Sequence, residues 1–258
     1  MQMLTTLVTA AAPRQPSRYE APLGLAAMGA LTVALAAAIA LATGWGARYI
    51  VAAIALYGLI AGAVTFALSG ERPRPPFGPA SQITLLRAVP ISLVGALIAL
   101  EAVRLTPGWG WTMTALSLAA FSLDAVDGWV ARRLGQATAF GARFDRELDA
   151  FFIALLAVLA WRLGQVGAWV LLIGAMYYAF MLAGHLRPAL TRPLPPRRRR
   201  KVVCALQVAA LLAALAPAIG PMAASWLAAG ALVALSYSFG VDVLWLLGTR
   251  ERGADAAG

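Results

Sequence analysis

Residues 124–149 run DAVDGWVARRLGQATAFGARFDRELD. Four aspartates stand in this stretch as two pairs, Asp124 with Asp127 and Asp145 with Asp149. Spacings of three and four place the members of each pair on one face of a helix. Apolar runs long enough to span a bilayer flank the stretch on both sides. An acid at membrane depth is costly, so four together mark function by default. Gly135 between the pairs is a natural helix end. A turn there lets the two helices run antiparallel with their acidic ends facing each other.

The composition around this stretch agrees with a membrane setting. The chain has 258 residues, 61% hydrophobic and 12% charged, with a mean hydropathy of +0.78. Soluble domains carry about a quarter charged residues. The apolar runs are unbroken rather than alternating, which excludes a lipid-facing β-barrel. The expected class is therefore an all-α integral membrane protein. Cys204 is the single cysteine, so neither an internal disulfide nor a cysteine metal site is available. The lone His185 reads as a surface or satisfied core residue rather than a ligand. The net charge of +10 comes from basic residues in short loops beside apolar spans. Topology and anionic headgroups account for that pattern better than nucleic acid does.

Eight spans are expected, at about 22–43, 48–69, 82–103, 109–133, 140–161, 166–186, 202–219 and 222–248. The first run is too long for a signal sequence. Pro73, Pro75, Pro76 and Pro79 break the chain between the second and third. This divides a head and two-helix addition (1–70) and a linker (71–81) from six helices that carry the chemistry (82–250), with a tail at 251–258. The third span opens at Ser81 and contains Arg87 and Pro90. Residues 186–201, LRPALTRPLPPRRRRK, read as a proline-broken basic loop. Asp242 lies inside the last span as a polar contact without an assigned role. Trp45, Trp109, Trp111 and Trp161 suit interface anchors. With eight spans both termini share one side, and of the 21 basic residues only Arg48, Arg104 and Arg162 fall on the other. The positive-inside rule then makes the aspartate ends and both termini cytoplasmic.

Four carboxylates at the meeting of two helices can hold two divalent ions, and oxygen-only ligands suit Mg²⁺ or Mn²⁺. Two such ions clamp a phosphoryl group and stabilise its entering and leaving oxygens. Gly128, Ala131 and Gly141 clear space for a base and ribose. Arg132 can pair with a diphosphate, and Thr138 can offer a hydroxyl. Asp149, last in the row, is the natural general base toward an attacking hydroxyl. The bland alternative is a pair of structural ion-pair networks with Arg132, Arg133, Arg143 and Arg146. Buried pairs are poor stabilisers, and such networks do not need these glycines and this alanine.

The pattern D-x-x-D-G-x-x-A-R-x8-G-x3-D-x3-D resembles the signature of the CDP-alcohol phosphotransferase family. Asp124, Asp127, Gly128, Ala131, Arg132, Gly141, Asp145 and Asp149 all match. Ser81-x-x-Thr84-x-x-Arg87 is similar to the family's P-N-x-x-T opening of its first core helix, with Ser81 where Asn is common. Residues 1–81 otherwise lie outside the resemblance. The resemblance implies a six-helix core, here preceded by two extra transmembrane helices. It implies transfer of a phosphatidyl group from a CDP-linked lipid such as CDP-diacylglycerol to an alcohol, with release of CMP, at a cell inner membrane. Asp124, Asp127, Asp145 and Asp149 would be the metal ligands, with Asp149 also the base. Ser81, Thr84, Gly128, Ala131, Arg132, Thr138 and Gly141 would contact the CDP-lipid. A homodimer is the implied assembly.

The acceptor is less determined. Arg187, Arg200 and Lys201 are candidate contacts for a phosphorylated alcohol, glycerol 3-phosphate first and inositol phosphate second. Uncharged alcohols stay open, because the chain reads RRRRKVV where phosphatidylglycerophosphate synthases frequently have G-K-x-K-T. Three readings of other kinds compete. An ion-coupled transporter does not need room for a nucleotide. A membrane prenyltransferase needs two separated aspartate motifs. A non-catalytic scaffold does not need intact acids.

Overall fold

The computed structural model describes residues 20–70, 79–100, 106–133, 139–192, 194, 195 and 197–254. Every regular element in them is helical. Eight α-helices follow in order: α1 (Glu20–Thr43), α2 (Gly46–Gly70), α3 (Pro79–Gly95), α4 (Pro107–Arg133), α5 (Ala139–Arg162), α6 (Leu171–Leu186), α7 (Arg198–Leu215) and α8 (Pro221–Ala254). Short 3₁₀ turns continue α3, precede α6 and follow it. Five segments, in α1, α2, α3, α6 and α8, are long and apolar enough to cross a membrane. The protein is an integral membrane helical protein.

The turns have local causes. Thr43 ends α1, and Gly44 follows with φ +73°, a conformation that costs glycine little. Its N–H bonds to the carbonyl of Ala40, and α2 begins two residues later as a tight antiparallel partner. Gly164 caps α5 at φ +69°, with Gln165 N–H donating to Ala160 and Gly164 N–H to Trp161, the paired bonds of a Schellman ending.

Several helix ends differ from the expected spans. The 3₁₀ turn after α3 ends at Ala99, short of residue 103, and residues 101–105 lie outside the described set. The last helix runs to Ala254 rather than about 248. The third difference matters most. α7 starts at Arg198, so Arg198 to Lys201 form its first turn rather than a loop. Four cations at a helix N-terminus oppose its dipole, and a carboxylate on α8 offsets them, as described below. α7 also stops earlier than expected, because Pro217 holds Ala216 extended at φ −71°, ψ 127°. Of the Pro-rich linker expected at 71–81, residues 71–78 lie outside the described residues, as does the Gly135 turn, while residues 79–81 are helical and open α3.

α3 is the central helix. In its candidate span 72% of residues are buried, against 17–28% in the other four. It packs against α1, α2, α4 and α5. α7 in turn packs against α4, α5 and α8, and α6 joins α5 to α8. α4 and α5 both lie against α3 and α7, and Asp124 near the end of α4 meets Asp145 and Asp149 near the start of α5, as the facing acidic ends led one to expect. α1 and α2 cover the outer face of α3. The buried Tyr49 and Ala53 of α2 join one continuous core with Val89, Leu93 and Leu97, and Gly95 sits between Leu56 and Leu155. At one end the Trp45 ring meets Tyr49 and Trp109 in tilted contacts with centroids 5.1 and 5.7 Å apart, while Trp111 and Trp161 are exposed. At that end Arg162 donates to the carbonyls of Ile98 and Leu100, tying α5 to the tail of α3. The aspartates lie toward the opposite ends of α4 and α5.

Candidate active site

α5 sorts its acids by helical face. Asp145 and Asp149 are one turn apart and point the same way. Glu147 between them turns away and accepts a 2.9 Å bond from the Tyr177 hydroxyl on α6. Asp124, near the end of α4, meets the α5 pair. One carboxylate oxygen from each of Asp124, Asp145 and Asp149 falls within 4.8 Å of the others. The three side chains are 27–34% exposed, so the cluster is reachable from outside the helices. Unit charges about 4 Å apart in such a partly wet site repel by about 4 kcal/mol per pair.

What holds them together is Arg87. Its side chain is 1% exposed and heads the fully buried side chains by volume. The guanidinium reaches from α3 into the cluster. Nη1 lies 3.0 Å from Asp124 Oδ1 and donates to Asp145 Oδ1 at 2.5 Å, while Nη2 donates to Asp149 Oδ1. Nε donates to the Ala120 carbonyl at 3.2 Å, one turn before Asp124 on α4. The cation lying among these three carboxylates thus comes from outside the aspartate stretch; Arg133, Arg143 and Arg146 are exposed, and the Arg132 side chain lies outside the described residues. Arg87 carried no role in the sequence reading beyond its place in the helix opening. Its signal there was a charged side chain inside an apolar run, one turn after Thr84. Thr84 itself is buried on α3.

The other predicted positions divide into three groups. Gly141 lies in the first turn of α5, a turn before Asp145. Asp127, Gly128, Ala131 and Arg132 ride on α4 and Ser81 on α3, but their side chains are outside the described residues, as is all of Thr138. Arg187 is exposed just after α6, and Lys201 is exposed in the first turn of α7. Arg200 is engaged, with Nη2 donating to the Pro195 carbonyl and Nε 3.6 Å from Asp242 Oδ2. Its neighbour Arg199 donates to Asp242 Oδ1 at 2.5 Å and lies 5.9 Å from the centre of the Tyr237 ring. Asp242, given no role on sequence grounds, is therefore the buried counter-charge of the basic turn. That turn opens α7, which packs against both aspartate helices, α4 and α5.

The residues present fit a divalent cation. Carboxylate oxygens are the donors that Mg²⁺ and Mn²⁺ take. Three of them converge, and the place already holds positive charge in the form of Arg87. An oxygen-lined cation site at the mouth of a helical bundle can bind a diphosphate and lower the barrier to breaking it.

Comparison with known proteins bears on this geometry directly. No match was found among curated proteins or among solved structures. The family model of CDP-alcohol phosphatidyltransferase matches residues 77–240, from just before α3 into α8. The match covers well over half the chain and contains the whole aspartate cluster together with Arg87. It decides between the transferase and the transporter readings. An apolar helical bundle, a carboxylate cluster at one of its ends and this match lead to one conclusion: the chain belongs to the CDP-alcohol phosphatidyltransferase family and is a transferase of substituted phosphate groups.

Proposed function

We propose that the protein transfers a phosphatidyl group from CDP-diacylglycerol to an alcohol, in phospholipid biosynthesis at the cytoplasmic face of a cell inner membrane. The convergence of Asp124, Asp145 and Asp149 carries this reading. In the proposed topology all eight helices are spans and both termini are cytoplasmic. α1 and α2 form an addition outside the six-helix catalytic part, linked by residues 71–81. The proposed assembly is a homodimer.

Asp124, Asp127, Asp145 and Asp149 would hold two divalent cations, Mg²⁺ or Mn²⁺. When bound, these supply charge neutralisation at the diphosphate and at the entering and leaving oxygens. The chain's own groups do the rest. Ser81, Thr84, Gly128, Ala131, Arg132, Thr138 and Gly141 hold the CDP moiety, the small residues by admitting it and Arg132 by pairing with phosphate oxygens. Asp149 takes the proton of the acceptor hydroxyl. The hydroxyl oxygen forms a bond to the lipid-side phosphorus, the bond from that phosphorus to the CMP oxygen breaks, and CMP leaves.

The acceptor we favour is a phosphorylated alcohol, glycerol 3-phosphate before inositol phosphate. Arg187, Arg200 and Lys201 supply its cationic contacts, and the basic turn opens α7, which packs against both aspartate helices. A second reading, an uncharged alcohol, has its own support. Asp242 already neutralises part of that turn through Arg199 and Arg200. Purified protein given CDP-diacylglycerol, Mn²⁺ or Mg²⁺ and each alcohol in turn, with lipid products read by mass, separates these. A phosphorylated lipid product supports the first reading, and product only from uncharged alcohols supports the second. Failure to form CMP with every alcohol and either metal would overturn the proposal.

A further inference from the structure

We infer that Arg87 is the built-in counter-ion of the metal-free site and competes with the divalent cation for the same carboxylate oxygens. The inference rests on the metal reading of the cluster given above.

Arg87 and the three aspartates need one another. A guanidinium stays charged under all ordinary conditions, and burying it without partners is costly. Three carboxylates crowded within 4.8 Å repel each other unless positive charge lies among them. Arg87 meets both needs, with three Oδ1 atoms around its two terminal nitrogens.

The position is what makes it a competitor rather than a neighbour. Nη1 alone touches Asp124 on α4 and Asp145 on α5, so it lies where a cation bridging those helices takes its ligands. A divalent ion on the same oxygens would sit within repulsive range of the guanidinium. Metal entry therefore displaces Nη1 from Asp124 and Asp145. The Nε bond to the Ala120 carbonyl does not involve the carboxylates, and it can keep the base of the guanidinium anchored while its tip moves. On this account the protein folds and inserts without metal. Metal loading then exchanges one cation for another instead of assembling four bare acids.

Calorimetric Mn²⁺ binding to the purified full-length protein, compared with Arg87→Gln and Arg87→Lys, tests this. Removing the competitor should tighten Mn²⁺ binding in Arg87→Gln by about tenfold or more. Lysine keeps the charge but cannot fork between carboxylates, so Arg87→Lys should fall between the two. EDTA should lower the melting temperature of Arg87→Gln much more than that of the wild type, because the variant then lacks both the divalent ion and the guanidinium that lies among the three carboxylates. Equal or weaker Mn²⁺ affinity in both variants would overturn the inference while leaving the metal site standing. No Mn²⁺ binding by any of the three would remove the metal site and the inference together. If Arg87→Gln is recovered only with Mn²⁺ present, the cation has replaced the arginine, which supports the exchange. If neither variant is recovered even with Mn²⁺, Arg87 is a requirement of the fold that the cation cannot replace, and the inference fails.

Discussion

The Tyr49 hydroxyl on α2 donates a 2.8 Å hydrogen bond to the carbonyl of Leu93 on α3. Leu93 lies in the last turn of α3, where helix carbonyls run out of partners along the chain. Both residues are buried, so water cannot substitute. This one contact ties the N-terminal hairpin to the helix that carries Arg87. Tyr49→Phe keeps the ring packing against Trp45 and removes only the bond. The expected loss is about 1 kcal/mol, or about 2–4 °C in a thermal unfolding curve of the detergent-solubilised protein. A melting curve that does not move would mean that the phenol has no part in holding the hairpin.

Replacing the cluster acids one at a time separates binding from proton transfer. Asp124→Asn and Asp145→Asn should weaken Mn²⁺ binding and lower turnover together. Asp149→Asn should abolish measurable CMP release, a fall of about 10²–10⁴ or more for loss of a general base. Turnover in Asp149→Asn close to wild type would dismiss Asp149 as the base and leave the acidic cluster with a binding role only.

Asp242 gives a prediction at the first turn of α7. Asp242→Asn leaves Arg199 and Arg200 facing the positive end of α7's dipole without their counter-charge. Loss of one partner of a fully buried pair costs about 3–5 kcal/mol. Arg199 is 22% exposed, so about 1–3 kcal/mol is expected here. The double variant Asp242→Asn with Arg199→Gln should recover part of that loss. A double-mutant cycle read by thermal unfolding measures the coupling, and strict additivity would contradict a direct pair.

Helix contact at Gly174 is tight enough to test by a single methyl group. A Cβ there would lie 2.7 Å from the Ala154 Cα and 2.9 Å from its Cβ. Backbone cannot yield as a flexible side chain does, so Gly174→Ala should push α6 from α5 and destabilise by about 1–3 kcal/mol. Gly58, also helical, has open space at the same position. Gly58→Ala should be neutral or slightly stabilising through helix propensity. Equal melting temperatures for the two variants would show that α5 and α6 do not approach as described.

The sequence by itself determined the helices and where the acids lie on them. Hydropathy runs of about 20 residues mark spans wherever they occur. Spacings of three and four put the aspartates on shared faces because the helix period is local. The turn at Gly44 follows from backbone chemistry at one residue, whereas the stop of α7 before Pro217 is missed because the apolar run continues past it. Local rules also misled at the start of α7. Four cations in the first turn oppose the helix dipole, and Asp242, about forty residues later, relieves that. Only the tertiary structure decided which cation meets the acids. Arg87 is 58 residues from Asp145 and 62 from Asp149, closer to neither than several arginines within the aspartate stretch itself. It is chosen because α3 sits between α4 and α5, and a buried guanidinium must find its counter-charges through space rather than along the chain.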